Sequence, residues 1–461
     1  MRTAIGNSYS MPVTIPWGIV NDLLEVNRMA HQTIRSAYNN LVDRLNRHPQ
    51  GAPPTELLFK ILKMLFSEKE AEYVSLLPIK PFTADKAAKI WGKKPAEARS
   101  ILDALAGRGI LLDVDKNGEK FYALPPPMAG FFEFSMMRLR TDINQKVLAE
   151  LFYQYLNVEE DFVRELFGAG ETQPGRAFVH EPALSADNAV YVLDYERASE
   201  VIKNARVMAV GVCYCRHKMQ HMGRACDAPM DICMTFSNVA ESLTKHGIAR
   251  QVDKIEGLDL LQKAYDYNLV QFGENVREDV SFICNCCGCC CEALLAAKRF
   301  AILNPVHTTA FLPEIDEVTC TGCGKCVDVC PVEAMGLVSA NDPHTPRKRK
   351  ARLDEQRCLG CAVCVRNCPQ KSITLKRIPK RIITPVDSTH RAVVMAIERG
   401  KLQNLIFDNR ALVYHRAMAA ILGVILKLPP VKQALASKQV KSRYLEQLLA
   451  RLKPQSTAGD R

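Results

Sequence analysis

For all its 18 cysteines, the chain has none in its first 212 residues and none in its last 93. That gap excludes a disulfide framework spread over the fold and points to metal binding in a reducing compartment. No Cys-x-x-Cys-His run offers covalent haem attachment. No Gly-x-Gly-x-x-Gly turn or Walker A loop offers a nucleotide or flavin fingerprint. The apolar run Ala417 to Leu426 is ten residues long, too short for a bilayer that takes about 20. Behind Met1-Arg2-Thr3-Ala4-Ile5-Gly6-Asn7 there is no apolar stretch, so no secretion signal is expected. The expected location is cytoplasmic, with the inner membrane face as a peripheral option. Net charge is also missing from most of the chain. Lys376 to Arg461 hold 17 Lys+Arg against 5 Asp+Glu, which leaves 44 against 45 in the first 375 residues. A partner chosen by charge would meet the C-terminal segment.

What is present is one cysteine spacing used twice, Cys-x2-Cys-x2-Cys-x3-Cys-Pro. The first run is Cys320, Cys323, Cys326, Cys330 and Pro331; the second is Cys358, Cys361, Cys364, Cys368 and Pro369. Three thiolates of one tight loop reach three corners of an iron–sulfur cube, and the fourth, carried off by the turn at Pro, ligates the other cube. One cluster is expected on Cys320, Cys323, Cys326 and Cys368, the other on Cys358, Cys361, Cys364 and Cys330. Soft thiolates suit iron, and the doubled, crossed register argues against a zinc site. These residues resemble the bacterial two-cluster [4Fe-4S] ferredoxin domain over about 316 to 376. The resemblance implies electron transfer and a redox partner protein.

The other ten cysteines form two blocks. Cys213, Cys215, Cys226 and Cys233 are enough for one further metal site, and His217 and His221 lie inside that loop as candidate extra ligands. Arg216, Lys218 and Arg224 surround the block, and positive charge there stabilises thiolates. Cys284, Cys286, Cys287, Cys289, Cys290 and Cys291 fall within eight residues. Adjacent cysteines point in different directions, so the six cannot share one cube. They are expected to divide among the 213–233 site, a second metal and redox-active thiols. The cofactor there is an additional iron–sulfur cluster or another metal. Cys286-Cys287-Gly288 resembles the Cys-Cys-Gly element of heterodisulfide-reductase-type subunits, without that family's wider spacing. The whole order resembles a family of bacterial 4Fe-4S binding proteins associated with anaerobes.

The expected fold class is α+β and multidomain. Residues 1–54 read as a helical segment, helical over 20–48 with Ile34, Leu41, Val42 and Leu45 roughly on one face. Residues 55–127 read as a winged-helix-like domain. Thr83 caps a helix to Trp91, Pro95 opens the next, and Asn117-Gly118 turns a hairpin of strands 110–114 and 120–124. Its charge, 12 basic against 10 acidic from Glu56 to Leu124, is a weak footprint for phosphates, so DNA is disfavoured as a partner. Residues 128–315 are a helical and cysteine-rich α/β region with an aromatic entry at Phe131-Phe132-Glu133-Phe134 and β-like runs at 189–193 and 207–212. Phe152, Tyr153, Tyr155, Phe162 and Phe167 read as core. Residues 316–376 are the ferredoxin domain, with Arg347 to Lys350 as a basic inserted loop. Residues 377–461 are a basic helical segment. Within it, 410–455, including a Leu445, Leu448, Leu449 and Leu452 stripe, fit the protein's own core, a partner protein or an anionic membrane surface. Three functions fit this organisation: an electron-transfer subunit, a reductase with a metal centre at 213–291, or a redox-sensing regulator.

Overall fold

The computed structural model describes residues 37–340, 348–378, 384–408 and 412–427. Helix and sheet are mixed along the chain. Residues 37–47 form a helix that buries Leu41, Val42 and Leu45; the expected helical residues 20–36, Ile34 among them, lie outside the described residues. Thr55 caps helix Glu56–Leu65, and Ser67 with Glu70 makes a reciprocal capping box on Glu68–Leu76, each satisfying amides that the first turn leaves open. Thr83 caps Ala84–Trp91, and Gly92 ends that helix at φ +64°. Pro95 opens Pro95–Gly107. Strands Leu112–Lys116 and Glu119–Ala123 pair across Asn117 and Gly118, both at positive φ, and Phe82–Thr83 adds a third strand. The hairpin starts two residues later than expected because Ile110 and Leu111 are buried in the turn leaving the helix.

A six-stranded antiparallel sheet forms the middle of the molecule. Its order is Gly175–Ala177, Val270–Glu274, Phe282–Cys286, Asp231–Phe236, Met208–Val212 and Ala249–Val252. The expected strand at 189–193 does not form. Ser185 caps a helical turn, Ala186–Ala189, and Val190 is 82% exposed; with no sheet to bury it, a β-like run stays a turn.

Residues 311–377 hold two short antiparallel pairs, Phe311–Ile315 with Ile373–Arg377 and Met335–Ser339 with Arg349–Leu353. Two four-residue helices, Lys325–Asp328 and Val363–Arg366, complete each half. The expected basic loop at 347–350 is therefore partly strand: Arg349 and Lys350 lie in the ladder, and Lys350 pairs with Glu317 at 2.7 Å. Arg347 lies outside the described residues.

Residues 384–408 pack back on the body. Arg391 pairs with Glu274, Arg399 donates to the carbonyls of Pro49 and Leu166, and Lys401 reaches Glu165. Helix Val413–Lys427 follows, with Tyr414, Met418, Ile421 and Val424 exposed along it. The Leu445, Leu448, Leu449 and Leu452 stripe lies outside the described residues. No helix among the described residues is long and apolar enough to cross a membrane.

Candidate metal centres

The eight cysteines of the doubled motif gather as two crossed quartets. Cys320, Cys323, Cys326 and Cys368 line one cavity of about 20 Å³. Cys330, Cys358, Cys361 and Cys364 line another of about 20 Å³. Each short helix carries the third thiol of its run, and the chain then turns at Pro and delivers the fourth to the opposite quartet. The loops demand glycine at matching positions. Gly322 and Gly360 sit at φ +67° and +69°, and a Cβ there would lie 2.1 Å from the Arg349 carbonyl and 2.2 Å from the Phe311 carbonyl. No side chain fits such an approach.

These quartets suit an iron–sulfur core. Burial and neighbouring thiols push Cys326 and Cys358 up to about 11 and Cys361 up to about 12, with Cys364 raised as well. Positive charge between the sulfurs is what turns such groups into thiolate ligands. The Ala334 and Gly360 amides donate to Cys330 and Cys358 at 3.2 and 3.4 Å. Against the cost of burial, hydrogen bonds with Ser372 hold Cys368 below the usual thiol value.

The other ten cysteines separate into six and four. Cys213 follows strand Met208–Val212 and is the N-cap of helix Tyr214–His221, which carries Cys215 in its first turn. Cys233 lies in a neighbouring strand. Cys284 and Cys286, two apart in strand Phe282–Cys286, share one face of the sheet. Cys291 leads into helix Glu292–Arg299. Their thiols close a ring in the order Cys213, Cys215, Cys291, Cys286, Cys284, Cys233. Hydrogen bonds from neighbours hold Cys213, Cys284 and Cys291 below the usual thiol value, Cys291 at about 5. The intervening Cys215, Cys233 and Cys286 are raised. Six sulfurs so close ionise together only around a cationic group.

That ring lines a cavity of about 330 Å³ whose other walls include Met128, Phe134, Met137, Phe167 and Phe272. Glu133, Glu274 and Glu292 are its acidic wall residues. Burial, and then the nearby Cys284, raise the Glu133 carboxyl well above its ordinary value, while the Gly130 amide donates to it at 3.0 Å.

Cys226, Cys287, Cys289 and Cys290 form the second set, with all four sulfurs within 4.8 Å of one another. The block 213–233 thus does not stay together: the structure moves Cys226 to the other set. Cys287 leaves the ring because adjacent side chains diverge, and it lies 3.5 Å from Cys226. Arg216 is fully buried between the sets, donating to the Asn285 and Pro229 carbonyls and toward Cys287 at 3.8 Å. Against the cost of burial, Cys213, Cys233, Cys287 and Cys286 hold its guanidinium firmly protonated.

The two histidines face elsewhere. His217 Nδ1 lies 2.7 Å from the Met136 carbonyl, and its Nε2 meets His221 Nε2 at 3.1 Å. Their candidate role as extra ligands is not borne by this geometry. Three residues around the site take parts that the sequence did not show. Lys218 is buried against Glu292 and Asn157. Tyr153 is buried as expected, yet its ring also receives Lys218, Arg224 and Arg299 at 5.2–5.4 Å. Glu133 had a signal, as the single charge in an aromatic run.

The two regions touch. A Cβ on Gly288 would lie 2.5 Å from the carbonyl of Pro331, next to Cys330. Lys298 also pairs with Glu333 at 3.4 Å.

Residues 319–372 match the family model of the 4Fe-4S dicluster domain. No curated protein and no solved structure matches the chain. The matched segment and the cysteines within it make this an iron–sulfur protein with a ferredoxin-like 4Fe-4S region.

Proposed function

We propose that the chain is an iron–sulfur electron-transfer protein or subunit, with two [4Fe-4S] clusters in residues 316–376 and further metal at Cys213–Cys291. The crossed gathering of eight thiols into two quartets carries this reading. Each cluster, when bound, supplies one-electron exchange. The protein's part is to hold the sulfurs, to bury five of the eight and to orient the amides of Ala334 and Gly360 toward Cys330 and Cys358. The contact of Gly288 with Pro331 favours a relay between the ferredoxin-like region and the ten-cysteine region.

A second reading is favoured by the cavity of about 330 Å³ beside the six-thiol ring. Volume, apolar walls and a few converging polar groups are features of a small-molecule site. In that reading the chain is a reductase whose ferredoxin-like region feeds a centre at the cavity wall. Residues 55–127 then serve as a winged-helix-like packing or docking unit. Lys93 and Arg108, two cations of its second long helix and turn, are engaged by Glu97 and Glu70, which weighs against a regulator that reads DNA. A redox partner protein is the expected partner, with an anionic membrane surface at 410–455 as the other.

Replacing Cys330 with Ser tests the core of this reading. The variant should disturb the cluster held by Cys358, Cys361 and Cys364, the half more distant in sequence, and lose about four iron and four sulfide. Anaerobic iron and sulfide analysis with electron paramagnetic resonance reads the outcome. Zinc without labile sulfide in the wild type would end the proposal.

A further inference from the structure

The ten cysteines outside the ferredoxin-like region hold two kinds of sulfur spacing. Cys226 and Cys287 lie 3.5 Å apart, Cys289 and Cys290 3.7 Å, and Cys290 and Cys226 4.0 Å. A tetrahedral ion bonded to four sulfurs at about 2.3 Å places each sulfur pair about 3.8 Å apart. In a cubane, by contrast, each thiolate sits on its own iron outside a four-iron, four-sulfide core, and the thiolates stand well apart. The protein contains its own control. Among the described residues, only Cys226, Cys287, Cys289 and Cys290 gather three or more possible ligand groups all within 4.8 Å. The crossed quartets that suit cubanes do not gather so tightly, and neither does the six-thiol ring.

We infer that Cys226, Cys287, Cys289 and Cys290 bind a single tetrahedral metal ion, separate from the centre on the six-thiol ring. This resolves the further metal of the proposed function into two centres, and it rests on that reading. An all-sulfur tetrahedron selects zinc or iron.

A second observation agrees in charge. Four thiolates around a divalent ion carry a net charge of −2, and buried charge must be compensated. Arg216 donates toward Cys287. Tyr153 packs in one group with Cys290, Met219 and the half-buried Cys226 and Cys287. On its ring lie Arg224 and Arg299, besides Lys218 whose charge Glu292 already meets, and Arg224 also bonds the phenol oxygen at 3.0 Å. Cys290 is fully buried and Cys289 exposed, so the ion would sit at the edge of the protein with one ligand toward solvent.

The test uses the full chain, purified without oxygen, and its Cys226→Ser variant. The wild type should contain one zinc or one mononuclear iron beyond its cluster iron. The variant should lose that one equivalent, with labile sulfide and the signals of the reduced clusters unchanged. A parallel loss of sulfide would overturn the inference, as would identical metal content in both proteins. If the variant does not stay soluble, the wild type decides alone. Absorption at the zinc edge should show a sulfur shell at about 2.3 Å and no metal neighbour. If the ion is iron, Mössbauer spectra should instead show one mononuclear iron site. Metal neighbours around every zinc and iron would overturn it. Failure of the proposed function looks different, because the cluster signals would then be missing from the wild type itself.

Discussion

The ferredoxin-like region and the ten-cysteine region hold similar numbers of thiols, yet chain order relates to space differently in each. In residues 320–368 the grouping of the thiols follows a loop of fixed length, a short helix and a turn at proline, so spacing along the chain translates into grouping in space. In residues 213–291 the sheet decides. Cys233, Cys284 and Cys286 meet because their strands pair, and Cys287 departs because it is the first residue past the strand's end, next to Cys286 and facing Cys226. The first kind of site is a local motif that could sit on any body. The second exists only once the whole six-stranded sheet has formed.

That contrast predicts different sensitivity to the surrounding fold. The largest effect is expected at Lys218. Its ammonium and Glu292 are both buried, beside Cys291 and helix Tyr214–His221. Lys218→Met leaves Glu292 buried without its cation, at a cost of about 3–5 kcal/mol. Thermal unfolding should show that loss, and metal should fall in the ten-cysteine region while the ferredoxin-like quartets keep theirs. Adding Glu292→Leu should recover much of the stability, because a buried pair replaced by apolar groups is often neutral. Equal metal loss in both regions would break the contrast.

Legibility in the sequence divides along the same line. The crossed quartets could be written down from spacing because every determinant lies within a few residues: two turn glycines, two short helices and two prolines. Helix boundaries around Thr83, Gly92 and Pro95 were readable for the same reason, since caps and breakers act locally. The grouping of the other ten thiols was not readable. It depends on which strands neighbour each other, and Asp231–Phe236 pairs with Phe282–Cys286 across a long stretch of chain. The run at 189–193 misled because β-branched residues signal a strand only where a sheet edge receives them. Glu133 was visible as an odd charge among aromatics, but its place at the cavity wall required the fold.

A smaller effect is expected at the contact between the regions. Gly288→Ala would push a methyl group toward the backbone of Pro331, where the ideal position is 2.5 Å from the carbonyl oxygen. Backbone cannot yield as a side-chain end does, so a cost of about 1–3 kcal/mol is expected, as for overpacking. Both regions should still bind metal, but electron exchange between them should slow. Reduction of the two regions, followed separately by rapid-freeze spectroscopy, measures this. Unchanged rates with normal stability would mean that the contact does not matter for transfer.

The last effect, confined to acid pH, concerns the backbone joint between sheet and ferredoxin-like region. His307 donates its amide to Gly175 and accepts the amide of Ala177 on its carbonyl, four residues before strand Phe311–Ile315. Burial, with Arg176 nearby, lowers its imidazole to about 4, and the Gln173 amide donates to Nε2 at 3.3 Å. In the unfolded chain the same group titrates near 6.5. Above that pH neither state binds the proton and the full contribution is present. Between about 6.5 and 4 the unfolded chain is protonated and the folded one is not, so stability falls as pH falls, by at most about 1.4 kcal/mol per unit. Below about 4 both bind it and the loss is complete. His307→Gln keeps an acceptor for Gln173 and removes the titration. Its melting temperature should therefore fall less than that of the wild type between about pH 7 and pH 4.5, by a few degrees at the acid end. Parallel curves for the two proteins would show that acid acts elsewhere and that this joint is not a weak point between the two cysteine regions.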